Sequence, residues 1–283
     1  MPDGGLRLFR IGRVFLPIAA LAPLLVGCGA ELYESRLDNT RVLFAHMELL
    51  NEHLLGKWTD PENAASLRVP LQFALLAPPA PAAKPAQPPG KPAEGDDGEG
   101  AEEEVHDDRQ PAYLNVELPG LRGAFQARLK YITPGNQETV GDGWLYVMTN
   151  HELADRPEQA REFGHEFIKD LSEALQIAPP PPEAYETVRF PAKVGQFVTP
   201  VKYTLVRIEP GEEIDGMPRE FSIYMYEQAG VRAIVLFVLP QHVATAERFG
   251  ERVPLCLETL EVADRVSPVA GGGVGGTTPP AGF

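Results

Sequence analysis

The residues of this chain that could do chemistry are scattered, and their spacing limits what each can do. His151-Glu152 and His165-Glu166 could each open a zinc-dependent hydrolytic helix, where a second histidine four residues after the first would share its face. Position 155 is Asp155 and position 169 is Lys169, so neither pair is completed. Glu212, Glu213 and Asp215, in EPGEEIDGMP, are close enough for paired acid and base work, yet the stretch reads as a polar loop between strands. His46 and His53 lie seven apart without a third ligand at metal spacing. Cys256, in the apolar run VPLCLETLEV, reads as a small core residue and not as a nucleophile. There is no GxSxG or Walker loop, and GGGVGG near the end has no following lysine. The reading is therefore of no catalytic residue, no cofactor and no metal.

Cys28 is different, because its surroundings are ordered. Arg7, Arg10 and Arg13 come first, then the apolar stretch VFLPIAALAPLLVG over 14–27, then the cysteine. That is the layout of an export signal, and 14 apolar residues fall short of the roughly 20 a spanning helix needs. Pro17 and Pro23 weaken a spanning helix further. Leu25, Val26, Gly27 and Cys28 resemble the lipobox of bacterial lipoproteins. The resemblance covers residues 1–28 and implies removal of 1–27, with Cys28 the acylated first residue of the mature chain. Two or more acyl chains hold stably where one holds marginally. Gly29, in place of an aspartate, points to outer-membrane sorting and a periplasm-facing location.

Removing 1–27 leaves 256 residues with a formal charge of −17, against −15 for the whole chain. So acidic a chain excludes nucleic acid as a natural partner. The expected partners are the membrane, through the lipid, and a protein of the envelope. With Cys28 acylated, Cys256 has no intrachain partner, and stability must come from an ordinary core.

The elements that would position these groups follow from periodicity. Tyr33, Leu37, Phe44, Met47 and Leu54 recur at helical spacing, so 30–55 is read as an amphipathic helix stopped by Gly56. Thr40 and Asn51 on its seam argue against a long coiled coil. SLRVPLQFALL is a strand, and 28–76 forms a membrane-proximal helix with a first strand. Residues 77–111 are a proline-alanine tract followed by EGDDGEGAEEEVHDD, with nine carboxylates and His106: a disordered linker or insertion loop. Insertion is preferred, because a lone strand and helix cannot make a core.

Residues 112–264 are read as an α+β domain with a mostly antiparallel sheet flanked by helices. AYLNVELP and AFQARLKYI suggest a hairpin, WLYVMTN a third strand, and Phe163, Phe167, Leu171 and Leu175 a helix broken by the prolines at 179–182. VKYTLVRIE, EFSIYMYE and VRAIVLFVL are the strongest strands. The last is apolar on both faces, as a covered central strand would be. A short helix over 242–249, a strand LETLEV and a disordered Gly/Pro-rich tail over 265–283 close the chain. This order is similar to that of the Mog1/PsbP-like families, some of them bacterial lipoproteins. The similarity implies a fold and carries over no functional residue. Tyr224, Tyr226, Trp144 and Tyr146 could line a ligand cleft or simply pack the sheet. Two functions are compatible with these features: a lipid-anchored, non-catalytic binding or assembly module, or an envelope hydrolase with a non-local site.

Overall fold

The computed structural model describes residues 16–78, 107–192, 198–228 and 230–263, with side chains described from residue 31 onward. The charged start of the expected export signal, residues 94–106 of the acidic run with His106, and the Gly/Pro-rich tail lie outside these residues, whereas 107–111, expected to belong to the disordered segment, are ordered, with Asp107 ion-paired to Arg109 at 2.8 Å. The chain divides into two units, 1–52 and 53–283.

The first unit holds almost all of helix α1, Leu16–His53. The helix runs through Cys28 without a break and ends three residues before Gly56, which lies in a strand and is not the stop. Tyr33, Leu37, Phe44 and Met47, the expected stripe, are exposed along it. Among the described residues no helix is long and apolar enough to cross a membrane.

The second unit is α+β, built on two antiparallel sheets. The smaller contains β1 (Leu54–Thr59), β2 (Ala65–Pro70) and β10 (Glu261–Val262), in the order β1-β2-β10. The larger contains β3 (Ala74–Leu75), β4 (Leu121–Ile132), β5 (Glu138–Thr149), β6 (Glu186–Phe190), β7 (Val201–Ile208), β8 (Arg219–Gln228) and β9 (Val231–Pro240). Its order is β3-β4-β5-β9-β8-β7-β6. Strands on both sides of the 79–106 segment share these sheets: β2 pairs with β10, and β3 with β4. Residues 54–75 thus build the same body as the later strands.

β9 is central, between β5 and β8, and Ala233 to Val238 are all buried. Alternation sends Ile234, Leu236 and Val238 to one face and Ala233, Val235 and Phe237 to the other. Helix α2 (Pro157–Ala174) covers the first face with Phe163, Phe167, Ile168 and Leu171. The small sheet and helix α3 (Phe249–Glu258) cover the second: Phe73 meets both Phe237 and Phe249 edge-on, and the Tyr203 hydroxyl donates to the Leu257 carbonyl. Cys256 is fully buried there, and burial pushes its thiol well up.

Several local expectations are corrected. AYLNVELP is no strand: residues 107–120 form an irregular strap, and the hairpin is made by β4 with β5. SLRVPLQFALL divides into β2 and β3. Helix α2 ends before the prolines, in a Schellman turn where Ile177 N–H bonds the Ser172 carbonyl and Gln176 adopts φ +55°. The helix expected at 242–249 is replaced by a single turn at Thr245–Glu247 and by α3, which takes the first two residues of LETLEV and leaves a two-residue strand at its end. Gly230 takes φ +86° in the β8–β9 turn, the left-handed conformation expected there.

Candidate functional site

The residues singled out for chemistry do not converge. His151 donates from Nε2 to the Ala263 carbonyl at 2.9 Å, and Glu152 faces Arg122 at 3.4 Å. Glu212, Glu213 and Asp215 are exposed in a turn closed by Ile214 and Met217. His53 is buried, its Nε2 accepting from Arg248 at 3.0 Å. Among the described residues no group of three His, Cys, Asp or Glu side chains could hold a metal ion. Cys28 lies within α1.

The four candidate aromatics separate by strand parity. Tyr224 and Tyr226 face the α3 side, where Tyr203 lies edge-on to Tyr224 at 6.1 Å and Phe237 does so at 6.0 Å. Trp144 and Tyr146 face the α2 side. There Arg219, at the start of β8 and 1% exposed, lies 4.4 Å from the Trp144 ring centroid and 5.0 Å from that of Tyr113. Its Nη1 donates to the Asp142 carbonyl at 2.9 Å and its Nε to that of Ile214 at 3.3 Å, while Asp215 Oδ2 is 3.9 Å from Nη2. Burial pulls the guanidinium below its ordinary value, opposed by Tyr113, Asp215 and Asp142. The Tyr113 hydroxyl meets that of Tyr146 at 3.1 Å, and Gln110 pins the strap by accepting from Leu118 N–H at 2.8 Å. Burial raises both phenols. This end of the face is packed shut.

The other end of the same face is open. The registers Thr204↔Met225↔Ile234 and Glu227↔Arg232 place those five side chains together on the α2 side. Phe163, Gly164 and His165 of α2 wall the cleft, with Tyr185 beside His165 at a ring separation of 5.9 Å. The cavity is about 130 Å³. Met225 and Ile234 give it an apolar floor, and the ion pair of Arg232 Nη2 with Glu227 Oε2, 3.1 Å apart, stands at its rim. Buried Asn150 fixes that rim: Oδ1 accepts from Arg232 N–H at 2.8 Å, while Nδ2 donates to Ala160 in α2 at 3.2 Å and to Gly230 at 3.4 Å. Burial raises the Tyr185 phenol.

Gly164 explains how the helix comes so close. A Cβ there would lie 2.8 Å from the Met225 sulfur. Of the cleft residues, the sequence points to Tyr226 as a possible cleft aromatic, to Phe163 as part of the helix stripe and to His165 as half of an incomplete zinc pair. Gly164, a costly residue on the apolar side of an amphipathic helix, was the available signal for a close approach.

Fold and cleft together define the class: an α+β protein whose antiparallel sheet and one covering helix leave a half-open pocket with an ionic rim. No family model and no curated protein matches the chain. Among solved structures it is similar to a crystal structure from Bacteroides thetaiotaomicron VPI-5482, at 14% identity and a TM-score of 0.30. The match covers 73% of this chain and 48% of that one, so the chain spans about half that protein's length, and nothing is carried over from it.

Proposed function

We propose that the chain is a lipid-anchored binding module of the bacterial envelope, and that the cleft beside α2 is its recognition site. The cleft carries this reading. It offers an apolar floor, aromatic walls and a fixed Arg232–Glu227 pair, the makeup of a small-ligand site. A hydrolase would need a nucleophile or an activated water beside a general base. Among the described residues the one cysteine with a described side chain is sealed in the core, and the cleft's carboxylate, Glu227, is ion-paired with Arg232. The strongest rises in tyrosine pKa likewise belong to the packed core, where burial causes them. The anchoring half rests on the ordered signal of residues 1–28, ending in Leu-Val-Gly-Cys.

Mass spectrometry of the mature N-terminus tests the anchor. Acylated Cys28 as the first residue is expected, with Cys28→Ser moving the chain from the membrane to the soluble fraction. An unmodified N-terminus at another residue overturns it.

A further inference from the structure

We propose that the cleft takes a free α-amino acid with an aromatic side chain, its ring in the slot, its carboxylate toward Arg232 and its ammonium toward Glu227. This deepens the binding reading given above and rests on it.

Size comes first. An apolar cavity of about 150 Å³ accepts a benzene ring. The 130 Å³ here, open on one side, has room for one ring and little more. The lining suits a ring as well: Phe163 and Tyr185 present aromatic surface, and the Met225 thioether makes favourable sulfur–aromatic contacts.

Charge then selects among ring-bearing ligands. Arg232 and Glu227 sit opposite each other on adjacent strands, so the rim presents one fixed cation and one fixed anion side by side. Glu227 Oε2 lies 3.1 Å from Nη2 of Arg232, and a guanidinium carries five N–H donors, enough to serve a ligand carboxylate as well. A free anion would meet Glu227 and a chain of formal charge −15, while a free cation would meet Arg232. A zwitterion satisfies both partners and carries no net charge. Asn150 holds the Arg232 backbone to α2, so the pair and the aromatic wall keep their spacing without the ligand.

Calorimetric titration of the full chain in detergent micelles tests this with L-phenylalanine as the probe. L-Phenylalanine should bind saturably, at least tenfold more tightly than phenylalaninamide, N-acetylphenylalanine or alanine, which lack the carboxylate, the ammonium and the ring. Arg232→Gln and Glu227→Gln should each weaken it at least tenfold. Gly164→Ala should push the Met225 sulfur into the slot and abolish binding while keeping or raising Tm, since alanine is the better helix former. No binding of phenylalanine to the folded chain, or equal binding of the amide or the acetyl derivative, overturns the assignment. An acylated Cys28 with no phenylalanine binding removes the ligand and leaves the anchor. Phenylalanine binding with an unmodified N-terminus does the reverse.

Discussion

Arg219 and Arg232 stand on the same face of the sheet, near the starts of neighbouring strands that run in opposite directions, and they meet opposite fates. Eight residues of β8 separate Arg219 from Glu227, about 26 Å along the strand. At one end the 107–120 strap lowers Tyr113 onto Arg219 and closes the face. At the other no strap arrives among the described residues, and Arg232 keeps a half-exposed partner and an open cavity. A buried guanidinium consumes its donors on backbone carbonyls and rings to offset its desolvation. A rim guanidinium retains donors for a ligand. Two chemically identical groups thus become a structural clamp and, in the proposed reading, a recognition group, according to which segment of chain covers them.

The largest expected effect tests how tightly the closed end is sealed. Tyr113 and Tyr146 there, and Tyr203 and Tyr224 on the other face, are raised by burial, Tyr224 to about 12. A phenol raised above its unfolded value of about 10 makes the folded state hold more protons between the two values. That stability is complete below pH ~10 and is lost as the pH climbs through about 12. Tyr224 alone contributes on the order of 3 kcal/mol. Urea midpoints should therefore fall steeply above pH ~10, with tyrosinate absorbance appearing together with unfolding.

Arg219→Ala should cost about 3 kcal/mol, because it removes the stacked cation and strands the Asp142 and Ile214 carbonyls. Tyr113→Ala should cost about 2 kcal/mol and wet Trp144, read as a red shift of its fluorescence. Tyr113→Phe keeps the ring and loses only the bond to Tyr146, about 1 kcal/mol by urea unfolding. Arg232→Gln sits at the far end of the scale: its partly exposed pair with Glu227 contributes within about 0.5 kcal/mol to folding. If Arg232→Gln destabilised as much as Arg219→Ala, the contrast between clamp and recognition group would collapse.

The legible parts of the fold are those whose signal is local. β7, β8 and β9 show their alternation or apolar continuity within eight to ten residues, and Gly230 marks the turn between two of them. α2 shows its face in Phe163, Phe167 and Leu171. The strap is hidden in the sequence because AYLNVELP alternates as a strand does. Its Tyr113 and Leu114 in fact pack on the sheet from an irregular backbone fixed by Gln110. β6, five residues with mixed exposure at a sheet edge, carried too weak a pattern to see. The cleft was invisible because its lining runs from Phe163 to Ile234 across four elements, with no motif shorter than the fold.

By itself the sequence determined the α+β class, the central place of VRAIVLFVL, the inert character of Cys256 and the expectation of a lipid at Cys28. Backbone sterics and the periodicity of apolar residues act over a few positions, and those are written in the chain's order. Only the tertiary structure decided that the strands before and after the acidic segment share two sheets, and that Tyr113 closes over one arginine while the other stays open. Those outcomes depend on which distant surfaces meet, a choice made by packing and desolvation across some hundred residues that no local pattern records.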